Sequence, residues 1–348
     1  LLNFVFGVFA TRVMIRGAAS IKALRNPWLY GASNKPAAKQ LNVTGKRKVF
    51  LSISGGIAAV VVLASLILGV SMDIQFKGGS MIVMSYDGEI AMADAQKAAE
   101  SVLGKGLTLQ SGSNAATGQQ TVTINLPGAQ TLTTEELQNL TDALQEACPD
   151  NNMEQLQTST VNPTIGGEFL RKCLVAVVAA VVLILLYIAW RFRRIGGLPA
   201  GVIAVIALLS DLIAVFGAFV LMRIPLNGNF VAAMLTILGY SINDTVVMYD
   251  RIRENRNLYG NKMPFEELVN HSVNQSLRRS INTTLTTCLA LATICVIAVV
   301  FGLDSIFTFA MPLMVGMISG VYTSLCLTTS LWVLWEGKRP NKTNHTAR

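Results

Sequence analysis

Residues Gly239 to Asn255 read GYSINDTVVMYDRIREN, and this stretch decides the fold because it puts a carboxylate where its surroundings call for hydrocarbon. From Asn229 to Tyr249 the chain runs NFVAAMLTILGYSINDTVVMY. At about 1.5 Å per residue such a helix crosses an apolar layer of about 30 Å, and Asp244 lies inside it. An ionised side chain at that depth costs roughly 2.5 to 3.5 kcal/mol on insertion scales, and more where it meets lipid. Asp244 is therefore expected to face other helices, find partners among them, or carry a proton.

Working outward, apolar residues make up 52% of the chain and charged ones 14%, and the apolar ones come in blocks too long for a soluble core. Val49–Val70, Cys173–Trp190, Leu198–Met222, the Asp244 stretch, Ile281–Phe301 and Phe307–Trp335 read as six complete transmembrane helices. Leu1 to Ala10 is too short to span and reads as the end of an earlier hydrophobic helix. No signal peptide is visible, so insertion rests on the spans themselves.

The excess of 28 Lys and Arg over 20 Asp and Glu raises nucleic acid as a partner, but the placement of the charges argues for no nucleic acid. They lie in a linker from Thr11 to Lys48 broken by Pro27, Gly31 and Pro36, in RFRRIGG after the second span, at Arg251, Arg253 and Arg256, and in EGKRPNK after the last. With six spans, all of these fall on one side, which marks it as cytoplasmic. Met263–Leu277 reads as an amphipathic cytoplasmic helix, with Pro264 near its start.

Between Ser71 and Glu168 the composition becomes that of a soluble domain. Ser80–Tyr86 alternates like a strand, Ala91–Leu103 reads as a helix, and Leu107–Gly112 and Thr121–Leu126 read as two more strands. Thr131–Ala147 is a second helix with Thr134 as its cap, and Met153–Val161 a last strand. The order βαββαβ is that of a ferredoxin-like α+β domain. One span separates it from the basic linker, so it is expected outside the cytoplasm. The fold class is thus membrane α-helical: a six-helix bundle with this domain inserted. Its units are 1–48 (end of a preceding span and linker), 49–70 (first span), 71–168 (outer domain), 169–337 (remaining spans) and 338–348 (cytoplasmic tail).

Nothing in the outer domain suggests an enzyme. It has no histidine and no placeable carboxylate pair; its acids read as a solvated surface, with a sheet face that binds extended peptide as the sharper alternative. The five cysteines show no CxxC spacing and no accompanying histidine ligands, so neither a disulfide framework nor a metal site is expected.

The polar residues inside the spans carry the chemistry. Asp244 precedes Arg251 by seven residues, about 10 Å inside the cytoplasmic boundary. Arg279 starts the next, antiparallel span near that boundary, with Asn282, Thr283, Thr286 and Thr287 following. Asp244, with Asn243 beside it, is expected to meet this stripe at similar depth. Asp211 lies deeper, as a second carboxylate on a path from outside. Hydroxyls and amides beside a carboxylate can hold either of its protonation states. The plain alternative is a polar clasp between helices, and Gly316 with Gly320 reads as close helix packing.

These residues carry a resemblance. Gly239–Asn255 resembles the fourth-helix signature of the SecF family, LRRSINTTLTT at Leu277–Thr287 resembles the start of its fifth helix, and FKGG at Phe76–Gly79 resembles its entry into the extracytoplasmic domain. Leu1–Tyr30, ending in RNPWLY, is similar to the close of a SecD half, so the chain resembles the carboxy-terminal part of a SecDF of the resistance-nodulation-division superfamily. Two positions depart from the family: Gln75 stands where an acid is usual, and Ser210 precedes Asp211 where histidine is common.

The resemblance implies a subunit of protein export in the bacterial cytoplasmic membrane, driven by the proton motive force. No cofactor is implied beyond the coupling proton, with sodium as the alternative ion. The family's relay positions fall on Asp244, Arg279 and Thr283. The implied partners are a SecD half, the SecYEG channel, the SecA motor, exported unfolded polypeptides and membrane lipid, with YidC and YajC as further candidates. A small-molecule or lipid transporter of the same superfamily, and a passive membrane scaffold, are the readings to be set against it.

Overall fold

Six long helices and one sheet, taken from a computed structural model, organise the chain. The structure describes residues 5–20, 41–88, 90–104, 107–114, 119–127, 133–193, 196–301 and 303–337. The expectations for the linker between 21 and 40 and for the tail from 338 lie outside these residues. Residues 1–41 and 42–348 form two separate compact units. In the first, a π-helical turn Val5–Ala10 leads into α1 (Thr11–Ser20). The linker therefore begins as a helix, since TRVMIRGAAS holds no proline and several good helix formers.

In the second unit, a short turn Thr44–Lys46 opens α2 (Arg47–Leu68), which ends where Gly69 turns to φ +73°. The four-residue α3 (Ile74–Lys77) follows, its start capped by Asp73 accepting from the Gln75 N–H at 2.9 Å. Gly78 then presses against Pro163: a Cβ there would fall 2.3 Å from the proline Cα, so only glycine fits. The two chain segments bounding the inserted domain meet at this point.

That domain runs β1 (Gly79–Tyr86), α4 (Met92–Leu103), β2 (Thr108–Asn114), β3 (Gln119–Pro127), α5 (Thr134–Ala147) and β4 (Glu154–Val161). The sheet is four-stranded in the order β2-β3-β1-β4, and every neighbouring pair is antiparallel. The period of two puts Ile82, Met84 and Tyr86 of β1, and Val122, Ile124 and Leu126 of β3, on one face, where they bury with Ala95, Ala99, Leu140 and Leu144 of the helices. The cap of α5 is Thr133 rather than Thr134: Glu136 Oε2 accepts from the Thr133 N–H at 2.8 Å and Thr133 Oγ1 from the Glu136 N–H at 3.3 Å. The reciprocal box needs Glu or Gln three residues on, which Thr133 has and Thr134, followed there by Leu137, lacks. Cys148 belongs to the same core. Burial first, and Asp94 second, push its thiol up, the setting of a packed hydrophobe rather than a nucleophile.

After the sheet come α6 (Pro163–Arg191), α7 (Gly197–Leu221), α8 (Gly228–Tyr259) and α9 (Phe265–Val300). The last helix consists of α10 (Asp304–Tyr322), a π turn Thr323–Leu327 and α11 (Thr328–Gly337). Among the described residues six helices, α2 included, are long and apolar enough to cross a membrane. The amphipathic helix expected at Met263–Leu277 is instead the first part of α9, which runs unbroken for 36 residues because no Gly or Pro lies between Phe265 and Val300. The central helix is α7, packed on α2, α6, α8 and the last helix, while α9 packs on α8 and the last helix.

Helices α8 and α10 touch in a regular register, Gly316 against Ile237 and Gly320 against Ser241, continued one turn on by a Thr245–Ser324 hydrogen bond. Small residues every fourth position let the two backbones approach closely. A Cβ at Gly316 would meet Val215 at 2.6 Å and Ile237 at 2.7 Å, whereas one at Gly320 finds its nearest neighbour, Ser241, at 3.4 Å. Gly316→Ala is therefore expected to destabilise by about 1 to 3 kcal/mol through overpacking, and Gly320→Ala by clearly less. Unfolding in mixed detergent micelles checks the difference, and equal costs would contradict the packing.

Candidate functional site

Asp211 sits in the middle of α7 with no exposed surface. Three hydroxyls donate to its carboxylate: Ser241 Oγ from α8 at 2.6 Å, Ser319 Oγ from α10 at 2.6 Å, and Thr323 Oγ1 at 2.9 Å from each oxygen. One carboxylate thus ties three helices together. Thr323 opens the π turn, and the local widening of the helix brings two successive hydroxyls, Thr323 and Ser324, onto α7 and α8. Such single π turns recur at functional sites.

One turn along α8 from Ser241 lies Asp244, 6% exposed. Its Oδ2 is buried with no hydrogen-bond partner among the described residues, a costly state for a carboxylate oxygen. Thr245 Oγ1 and Ser324 Oγ are 3.0 Å apart beside it, and Ser324 Oγ donates to the Ser241 carbonyl at 3.4 Å. Two more orphaned oxygens, Thr328 Oγ1 and Ser330 Oγ, lie further along the last helix. A seam of hydroxyls therefore runs from Ser319 and Thr323, on Asp211, to Ser324, on Ser241 and Thr245, the residue next to Asp244. Hydroxyls donate and accept, so such a seam can hold water and pass a proton along its length.

Arg279 lies on α9, which packs against α8, but it forms no ion pair with Asp244 among the described residues. Arg279, Asn282, Thr283 and Thr286 are exposed and, at spacings of three and four, share one face. Thr283 Oγ1 donates to the Arg279 carbonyl at 2.9 Å and Thr287 Oγ1 to the Thr283 carbonyl at 2.9 Å, so both hydroxyls are turned back onto their own helix. The threonine that reaches α8 is Thr284, 3.2 Å from the Tyr240 hydroxyl. Asn243 is exposed on α8. The expected stripe is present, then, but it opens outward instead of closing over Asp244.

The sequence reading did not single out Ser241, Ser319, Thr323, Thr245 or Ser324. Their signal was the density of hydroxyls in SGVYTSLCLTTS, Ser319 to Ser330, inside an apolar helix. Gln75 accepts a hydrogen bond from the Gly228 N–H at 2.9 Å, at the start of α8.

Comparison with known proteins places this geometry among relatives. Residues 140–338 match the family described as protein export membrane protein SecD/SecF, C-terminal. The chain is 34% identical over 297 residues to the protein translocase subunit SecF of Alicyclobacillus acidocaldarius, covering 84% of this chain and 92% of that protein. It is 30% identical over 302 residues to the protein translocase subunit SecDF of Bacillus subtilis, covering 86% of this chain and 38% of that one. The crystal structure of SecDF, a translocon-associated membrane protein from Thermus thermophilus, superposes with a TM-score of 0.74 at 28% identity, over 88% of this chain and 40% of that chain. The chain thus spans most of a SecF relative and well under half of a fused SecDF.

Proposed function

Because the chain belongs to the SecD/SecF family of protein export membrane proteins, we propose that it is the SecF-type, multi-pass part of a bacterial protein translocase and couples proton entry to export. The observation that carries the proposal is Asp244, whose buried Oδ2 lacks a partner among the described residues, with Arg279 on the neighbouring helix α9. A carboxylate held ready and incompletely satisfied is a group that can change protonation state. Moving one charge through 100 mV supplies about 2.3 kcal/mol, enough to bias a two-state helix packing by more than tenfold.

In this mechanism, protonation of Asp244 weakens its attraction to Arg279 and shifts α9 against α8. Asp211, bound to α8 and α10 by hydroxyls, is the second station and the fixed post of the movement. Thr283 and Thr287 turn their hydroxyls outward to water when the path is open, with Asn243 and Asn282 lining it. The proton is the coupling ion, and sodium is the alternative.

The inserted domain is assigned as ferredoxin-like: the strand order β2-β3-β1-β4 with helices after β1 and β3 supports that assignment. The basic ends of the spans, Arg191 and Arg253 paired to Asp250 and Arg256 to Glu336, support a cytoplasmic side there and the domain on the opposite side. A SecD half is the natural cover for the exposed polar face of α9, which would be costly against lipid. The SecYEG channel, the SecA motor, YidC and YajC complete the proposed assembly, and an unfolded exported chain is its cargo.

Membrane vesicles carrying this chain with a SecD half test the function. A preprotein halted after SecA-driven initiation should resume movement on imposing a proton gradient and crosslink to the inserted domain. Movement that is identical without the chain, or without the gradient, would exclude the proposal.

A further inference from the structure

Where α2 and α7 both end, on the side of the inserted domain, the chain forms a half-open cleft of about 290 Å³. It is lined by Ile67, Leu68, Val70, Ser71 and Arg223, the sole charged side chain there, with Phe219 fully buried behind them. Beside its mouth, Leu66 and Ile67 are 76% and 80% exposed. Leu68 and Leu221 are the last residues of two apolar helices, so the cleft sits at the boundary between hydrocarbon and headgroups.

The backbone builds this cleft firmly. The Leu226 N–H donates to the Ser71 carbonyl at 2.9 Å and the Asp73 N–H to the Leu226 carbonyl at 3.0 Å, pinning the chain after α2 to the chain after α7. Arg223 adopts φ +54°, one of two non-glycine residues at positive φ among those described. The Ile224 N–H donates to the Phe219 carbonyl at 2.9 Å and the Arg223 N–H to the Val220 carbonyl at 3.1 Å, a helix end that ordinarily takes glycine. Arginine in that place is disfavoured locally, and its guanidinium makes no ion pair or side-chain hydrogen bond among the described residues.

We infer that this cleft is a phospholipid site, in which the Arg223 guanidinium holds the lipid phosphodiester and an acyl chain runs down past Leu66 and Ile67. An unpaired guanidinium at headgroup level offers the opposite charge and a planar fork of N–H donors to the accepting phosphate oxygens. The cleft itself, more polar than apolar at its surface, matches a headgroup, and the exposed Leu66 and Ile67 below match a hydrocarbon tail. The site lies at the α2–α7 side, separate from Asp244 and Arg279, and does not depend on the proton reading.

A photoactivatable phosphatidylglycerol tests it on the full chain reconstituted in nanodiscs. Labelling is expected within residues 67–71 and 219–226. Arg223→Gly, which relieves the backbone while removing the charge, should lower labelling about tenfold, the loss expected for one charge-assisted contact, and Arg223→Lys should retain most of it. Unlabelled phosphatidylglycerol should compete; diacylglycerol of the same tails and inorganic phosphate should not. Labelling in Arg223→Gly equal to wild type would overturn the site. Competition by diacylglycerol would show a merely apolar groove, and displacement by inorganic phosphate a free-anion site; either result overturns the phospholipid assignment.

Discussion

Asp244→Asn is expected to abolish the gradient-dependent part of export, a loss of more than about tenfold in that rate, while SecA-driven initiation and the folded protein persist. The substitution keeps the size of the side chain and its capacity to accept a hydrogen bond but removes the titrating proton. Because Oδ2 has no partner to lose, the stability cost should be small. Asp244→Glu, which restores the carboxyl with one more methylene, should recover part of the rate. A purely structural aspartate would give the opposite pattern: lowered stability in the asparagine variant with gradient dependence intact.

Asp211 should behave differently, because its carboxylate is saturated. Asp211→Ala removes the acceptor for the Ser241, Ser319 and Thr323 hydroxyls together. At roughly 0.6 to 1.7 kcal/mol for each interhelical hydrogen bond in a membrane protein, the expected cost is about 2 to 5 kcal/mol. Asp211→Asn should cost much less, since the three hydroxyls can rotate to donate to the amide oxygen or accept from its nitrogen. Unfolding in mixed detergent measures both, and an alanine variant as stable as wild type would dismiss the three-helix tie. Export by Asp211→Asn then separates roles: a relay station fails although folded, whereas a clasp works normally.

The six long apolar helices and the strands and helices of the sheet region were legible because the relevant signals are local. Hydropathy over some twenty residues identifies a span, and period-two alternation identifies a strand. Asp244 was legible for the same reason, a charge within a long apolar run. The Asp211 cage was not, because it depends on three helices meeting at one depth, and on a π turn at Thr323 that sets the rotation of the last helix. The polar residues between Leu277 and Ile281 suggest a junction in the sequence, but helix propensity continues through them and α9 is unbroken. Thr133 was passed over as the α5 cap because the reciprocal Glu136 contact, rather than the first good capping residue before the acids, sets the boundary.

The exposed face of Arg279, Asn282, Thr283 and Thr286 follows from the same limit. Their spacing announces a common side of α9, and only packing reveals that α8 is met by Thr284 instead. A polar face left open on a long apolar helix would be costly against lipid, and this is what the proposed SecD partner would cover.

The most direct measurement is infrared difference spectroscopy of the chain reconstituted with a SecD half, following the carboxylic-acid C=O stretch as pH is lowered. A protonated-carboxyl band that grows on acidification and is absent in Asp244→Asn is expected. A spectrum unchanged by that substitution at every pH would contradict the claim that Asp244 gains and loses the coupling proton.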